Sequence, residues 1–340
     1  MESPERTSGG SKAGFWNRRL GLDALRYRIP DAAATLRYSL GVFTFASFVV
    51  LVLTGLWMAQ FYNPNPAGAH DSVLYIITRA PFGDIARNLH YWSASAMVVS
   101  IVAHIAWVLY TRAYRAPREI TWYAGVGLAA LVFLMVVTGA ILRYDQEGYE
   151  ALAHFMAGSE MAGALGSFFA PDFTLSTPVL SRIFSLHTSL LPLGIAALVG
   201  LHFWLVRTLG MSAAGPKNRL FIDYLPMITG ACLILLAALI ALAVLAPEGL
   251  GYSPVPGYEI TKPYWPVLWI YALESSFGMS ALIWAPLVVF VFLAAVPLVD
   301  RGARDSGARI VRIAGAILLI VLLALGLWAA LSPPQQHLGM

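Results

Sequence analysis

Burying a histidine ring in hydrocarbon is costly, so each histidine inside a membrane span marks a functional position by default. Four of the seven histidines in this chain, His90, His104, His187 and His202, lie in stretches apolar enough to cross a bilayer. Fourteen residues separate the first two and fifteen the second two. At 100° and 1.5 Å per residue, either step returns to nearly the same helix face about 21–22 Å further on. Each helix therefore offers two imidazoles on one stripe. If both helices cross in the same direction, His90 stands level with His187 and His104 with His202. Facing pairs of neutral imidazoles are what bis-histidine ligation of two b-type haems requires, with the iron ligated by His90/His187 and by His104/His202. Such ligation leaves no open iron position and favours electron transfer over oxygen chemistry. The bland alternative is four hydrogen-bonding core histidines in a haem-free transporter or structural subunit, and two pairs at matched depth weigh against it. His70, His154 and His337 fall in loops or the tail and are expected to be solvated.

A flat ring between helices also needs room, which glycine supplies by letting backbones approach. Gly41 and Gly55 are fourteen residues apart on one predicted span, and Gly125 and Gly139 are fourteen apart on another. Both steps match the ligand spacing, placing Gly41 and Gly125 at the inner level and Gly55 and Gly139 at the outer. Arg87, one turn before His90, is a candidate partner for a haem propionate, with a topogenic interfacial role as its alternative. Arg118 and Arg207 are further cofactor-binding candidates.

The elements that must position these residues follow from composition. Of 340 residues, 59% are hydrophobic and only 12% charged, against roughly one-quarter charged in soluble domains. A bilayer core needs roughly 20 apolar residues per helix, and seven runs qualify, at about 38–60, 88–111, 121–143, 184–209, 224–246, 265–297 and 310–331. The expected class is an all-α membrane protein of seven transmembrane helices. The net charge of +4 does not indicate nucleic acid here, because the charges are sorted by side. With the N-terminus inside, seventeen of the 22 Lys and Arg residues fall on the cytoplasmic side, Arg18, Arg112, Arg115, Arg301 and Arg304 among them. The outer connection between the third and fourth spans instead gathers Asp145, Glu147, Glu150, Glu160 and Asp172. The positive-inside rule then predicts a cytoplasmic N-terminus and an outer C-terminus, with a bacterial inner membrane as the expected host. The first 37 residues hold no long apolar stretch, so no cleavable leader is expected.

Residues 1–37 form a cytoplasmic segment whose part from 15 to 37, mixing aromatics, leucines and arginines, reads as an interfacial helix. A polar break, MSAAGPKNRLFID, separates an N-terminal four-helix bundle (38–210) carrying both histidine pairs from a C-terminal three-helix domain (223–331), followed by a short outer tail (332–340). The single cysteine, Cys232, excludes an internal disulfide and a CxxCH haem attachment. It reads as a small buried apolar residue.

These residues resemble the cytochrome b of quinol:cytochrome c and quinol:plastocyanin oxidoreductases. The likeness is carried by RNLHYWSASAMVVSIVAH, AYRAPREITWYAGV, TGAILRYDQEGY and SRIFSLHTSLLPLGIAALVGLHFWLVRTLG. It continues more weakly through LPMITGACLILLAALIALAVLAPEGLG, KPYWPVLWIYALE and PLVDR. The fifteen-residue step is similar to the plastid-type and Gram-positive branch. The resemblance implies a quinol site beside the outer haem and a quinone site beside the inner one, where Arg207, Asp223 and Arg37 are candidate neighbours. It also implies a Rieske iron–sulfur protein and a cytochrome c-type subunit as partners, and a homodimer. Two departures stand out. Ser39 occupies the position where plastid-type members tether a further haem through cysteine, so no covalent haem is expected. In KPYWP, Tyr264 stands where members usually have the glutamate that takes a proton from quinol, and an ordinary tyrosine, titrating near 10, is a poor base at neutral pH. Glu274 is a candidate substitute but lies about 15 Å further along a helix. Asp145, Glu147 and Glu259 are others, each expected to be a solvated loop acid. The same departure sustains an alternative function, a dihaem electron conduit between the quinone pool and a non-Rieske partner.

Overall fold

The computed structural model describes residue 15 and residues 19–170, 173, 174, 176–301 and 305–338. Arg18, Asp172, Arg304 and the last two residues of the tail lie outside them. Ten α-helices follow one another among the described residues from residue 40 on: α1 (Leu40–Ala59), α2 (Ala69–Thr78), α3 (Gly83–Thr111), α4 (Glu119–Leu142), α5 (Gln146–Met161), α6 (Val179–Leu209), α7 (Phe221–Leu245), α8 (Leu268–Phe277), α9 (Ala281–Val299) and α10 (Asp305–Leu331). Seven of them, α1, α3, α4, α6, α7, α9 and α10, are long and apolar enough to cross a membrane. The protein is an all-α, multi-pass membrane protein.

Helix α1 packs along α3, and α4 along α6; the two pairs meet each other more sparsely, leaving a seam between them. Midway along that seam Met97, Val132 and Ile195 are buried against Phe48, Leu51 and Met135, closing it between the two histidine levels. In lipid such contacts are held by close packing rather than by water exclusion. The C-terminal helices wrap this unit, α7 lying along α3, and α9 touching α4. The Trp122 indole N–H of α4 donates to the Leu293 carbonyl of α9 at 2.8 Å. A buried carboxylate completes the join. Asp300, at the end of α9, accepts from Tyr114 Oη at 2.7 Å, from Arg112 Nε at 3.2 Å and from Arg115 Nε at 2.9 Å.

Two expectations are corrected here, and one feature is new. The expected interfacial helix over 15–37 is not continuous: from Gly21 onward the chain forms short 3-10 turns and a two-residue strand, β1 (Arg28–Ile29), paired antiparallel with β2 (Arg219–Leu220). Pro30 explains the interruption, since the residue before a proline is driven to extended backbone. The expected sixth span of 265–297 is two helices. α8 ends at Phe277, Gly278 takes φ +79°, and the crossing helix is α9. Finally, α6 is not uniform, widening into one π-helical turn over Leu186–Leu190. Pro192 follows that turn and has no N–H to return to the carbonyl of Thr188, a known cause of such widening.

Candidate functional site

The four span histidines all face the seam between the helix pairs. His90 and His187 line one cavity with Gly55, Gly139, Arg87, Tyr91, Arg143 and Tyr264. Their ring centres are 6.5 Å apart, with 53° between ring planes. A metal–imidazole bond of about 2 Å, with each nitrogen about 1.2 Å from its ring centre, puts two imidazoles on opposite sides of one ion about 6.3 Å apart. The observed separation fits one ion shared between them.

Hydrogen bonding decides which nitrogen faces the cavity. Thr54 Oγ1 donates to the Val50 carbonyl at 2.7 Å and lies 2.9 Å from His90 Nδ1, so it accepts from that nitrogen. Thr138 repeats the arrangement, donating to the Leu134 carbonyl at 2.7 Å and lying 2.9 Å from His187 Nδ1. His202 Nδ1 lies 3.1 Å from the Thr121 carbonyl, which can only accept. In all three rings Nδ1 carries the proton and Nε2 is left with its lone pair, the tautomer a metal ligand needs.

The glycines occupy the expected levels, but they touch the imidazoles themselves. A Cβ added at Gly55 would stand 3.3 Å from His90 Cε1, at Gly139 3.0 Å from His187, at Gly41 3.4 Å from His104 and at Gly125 3.5 Å from His202. Each glycine therefore seats one imidazole ring, two at each depth of the seam. The π turn reconciles the unequal spacings, because it adds one residue to α6 without advancing the helical phase. Fifteen residues on α6 then match fourteen on α3.

The candidate arginines are all engaged by backbone. Arg87 donates to the carbonyls of Glu248 at 2.6 Å and Gly249 at 3.0 Å, which pins the connection between α7 and α8 to the N-terminal end of α3. Arg118 donates to Gly210 and Leu209 at the end of α6, both at 3.3 Å. Arg207 donates to the Ala24 carbonyl at 3.2 Å and lies over the Tyr27 ring. Arg37 stacks over Trp107, and Asp223 sits in the first turn of α7. Ser39 is fully buried, 2.5 Å from Tyr224 Oη.

Tyr264 lines the cavity beside His90 and His187, where its hydroxyl lies 2.6 Å from Ser95 Oγ and its ring meets Tyr91. Burial pushes its pKa above the ordinary tyrosine value, making it a still poorer base. Beside it Arg143 binds three carboxylates: Asp145 at 2.9 Å, Glu147 at 3.0 Å and Glu248 at 3.5 Å. Asp145 is not solvated, contrary to expectation. It is fully buried, caps α5 by accepting from the Gly148 N–H, and accepts also from the Gly251 N–H. Glu147 differs in having a buried oxygen, Oε1, without a partner. Burial pushes its carboxyl up to about 7, with Asp145 and Glu248 pushing the same way against the pull of Arg143.

Glu259 is likewise corrected from solvated to buried, and His154 and His337 to half-buried, with 1%, 16% and 7% of their side chains exposed, and they converge with Glu274 on one spot. Neither Glu274 nor Glu147 itself lines the cavity beside His90 and His187, but Arg143, which binds Glu147, does. Burial pushes the Glu274 carboxyl up to about 7, opposed by His154 and reinforced by Glu259. His70 is also partly covered, with Nε2 3.2 Å from the Gly251 carbonyl. Sequence reasoning missed Thr54 and Thr138, although the repeated Thr-Gly pair at 54–55 and 138–139 was the signal that could have found them.

A profile of the family described as cytochrome b/b6/petB matches residues 27–210. Among solved structures, a chain of a "Hyperthermophilic respiratory Complex III" superposes with a TM-score of 0.78 at 22% identity, covering 96% of this chain and 91% of that one.

Proposed function

Because the chain belongs to the cytochrome b/b6 family, we propose that it is the cytochrome b subunit of a quinol-oxidising complex, binding one b-type haem between His90 and His187 and another between His104 and His202. The observation that carries this reading is the 6.5 Å separation of the His90 and His187 ring centres with both Nδ1 atoms backed by threonine. Haem iron held by two imidazoles supplies electron transfer without an open coordination position. In this reading residues 38–210 are the haem-binding bundle, 223–331 the three-helix domain that closes the outer site, and Arg118 and Arg207 stand at the inner level.

The outer quinol site lies where Tyr264, Tyr91 and Arg143 line the cavity beside His90 and His187. Tyr264 orients the quinol ring through its own ring and through the hydroxyl shared with Ser95. Glu147, held by Arg143 and poised near neutrality, takes the quinol proton at Oε1 in place of the missing glutamate, and Asp145 holds the loop that shapes this pocket. The quinone site is at the inner level. The chain sits in a bacterial inner membrane with its N-terminus inside, in a homodimeric complex with a Rieske iron–sulfur protein and a cytochrome c-type subunit.

A dithionite-minus-oxidised spectrum with a pyridine haemochrome count on the purified protein tests the haems: two b-haems per chain are expected, and none would sink the reading. Tyr264 favours a second reading, the dihaem conduit to a non-Rieske partner. Two haems that quinol fails to reduce in a manner sensitive to outer-site inhibitors would establish that alternative.

A further inference from the structure

Four side chains from four separate elements meet at the outer end of the molecule and have no part in the function proposed above. They are His154 of α5, Glu259 of the connection between α7 and α8, Glu274 of α8, and His337 of the tail. His154 Nε2 is 3.3 Å from Glu259 Oε1 and 3.4 Å from Glu274 Oε1, and His337 Nδ1 is 3.3 Å from Glu259 Oε1 and 3.9 Å from Glu274 Oε2. None of these approaches satisfies the atoms as hydrogen bonds. His154 Nε2, Glu259 Oε1, Glu274 Oε1 and His337 Nδ1 are all buried without a partner.

The surroundings fix where the lone pairs point. His154 Nδ1 lies 2.8 Å from the Glu150 carbonyl, which can only accept, so Nδ1 donates there and Nε2 is the nitrogen turned to the centre. Ser275 Oγ donates to the Tyr271 carbonyl at 2.9 Å and lies 3.0 Å from His337 Nε2, so it accepts there and leaves Nδ1 to face the centre. Glu259 Oε2 is occupied by the backbone N–H groups of His337 and Leu338, at 2.7 and 2.9 Å, which turns Oε1 to the centre. Two imidazole nitrogens and two carboxylate oxygens thus face one another out of water, none with a hydrogen-bond partner. Lone pairs so arranged repel unless a cation lies among them.

We propose that His154, Glu274 and His337, with Glu259 as fourth ligand, bind one divalent transition-metal cation of the zinc class. The donor atoms of His154, Glu274 and His337 lie within 4.8 Å of one another. Neighbouring donors on a tetrahedral ion with bonds of about 2.0–2.2 Å are about 3.3–3.6 Å apart, and three of the four N···O separations fall in that range. Two nitrogens and two carboxylates suit zinc in softness, and their two negative charges balance a dication. The Glu150 carbonyl and Ser275 hydroxyl are outer partners of the kind that orient metal-bound histidines. Such an ion fastens the tail after α10 to α5 and α8, on the side of the molecule that carries the outer cavity.

The test uses the full-length protein purified in detergent, stripped with a chelator, reloaded with Zn²⁺ and washed by gel filtration. Metal analysis should find about one zinc per chain, with an absorption-edge spectrum showing mixed imidazole and oxygen ligands. His337→Ala and Glu274→Gln should each lower bound zinc by at least about tenfold with the elution profile unchanged. His154→Gln serves if either variant fails to assemble. Zinc that washes off the parent protein, or that binds the variants equally well, would overturn the proposal. Because the readout is bound metal and not haem or turnover, its failure is distinct from failure of the cytochrome b reading.

Discussion

A Cβ placed on Gly139 would stand 3.0 Å from Cε1 of His187, whereas one on Gly125 would stand 3.5 Å from Cε1 of His202. The first distance is closer than side-chain carbons normally come, and the second is ordinary contact. Gly139→Ala is therefore expected to displace the His187 ring and reduce the outer haem to well below one per chain, while Gly125→Ala leaves the inner haem in place. Haemochrome counts and redox titration of the two variants, compared with the parent, check this.

Thr54 and Thr138 each hold a histidine by its far nitrogen. Replacing either with valine keeps the shape but removes the acceptor, and outer partners of this kind are typically worth about 10- to 100-fold in metal affinity or activity. Thr54→Val and Thr138→Val should both shift the potential of the outer haem and weaken its retention, leaving the inner one unchanged. Potentiometric titration followed at the b-haem absorption bands reads both effects.

Glu147 should govern the pH profile of quinol oxidation. A base must be ionised to accept a proton, so with its carboxyl pushed up to about 7 the rate is expected to rise as the pH passes upward through that value. Glu147→Gln should lower the rate by about 10²-fold or more and flatten the rise. The same shift has a stability consequence of known sign. A carboxyl whose pKa is raised by folding penalises the folded state as the pH climbs from its unfolded value towards about 7. The Gln variant should accordingly melt higher than the parent above that pH.

The Asp300 carboxylate accepts from Tyr114, Arg112 and Arg115. Removing it takes that acceptor from the buried Tyr114 hydroxyl at the junction of α3, α4 and α9. Both arginines keep some contact with solvent, so the cost of Asp300→Ala should be at the lower end for a broken buried pair, about 3 kcal/mol. A lowered melting temperature with an unaltered haem spectrum is the expected result, measured by thermal scanning in detergent.

What the sequence made legible was whatever repeats with the helix. Hydropathy marked six of the seven spans closely, and the His and Gly steps located both levels of the seam, because 3.6-residue periodicity carries through a straight helix without outside help. The break inside the expected sixth span was missed since only three residues separate α8 from α9 and, of these, Gly278 alone marks the turn. The polar outer face was illegible for a different reason. Asp145, Glu147, Glu259 and the three histidines outside the spans looked like solvated loop residues, yet they are covered by the connection between α7 and α8 and by the tail. Burial of that sort depends on which distant segments fold over one another, and local composition does not encode it. Glu150 shows the point: a loop acid by sequence, it is buried and accepts from the backbone N–H groups of Ile260 and Thr261.

The π turn at Leu186–Leu190 makes the ligand helix tolerant of a change in chain length. A residue lost within that turn lets it relax to ordinary α-helix, with His202 still in phase with His187 and fourteen residues between them. A residue lost between Gly194 and Gly200, with the π turn retained, rotates His202 by about 100° away from its partner. Deleting Leu190 should thus preserve both haems where deleting Ala197 abolishes the inner one. A helix so built can lose a residue in the turn that carries His187 and keep the two histidine levels at a fixed separation.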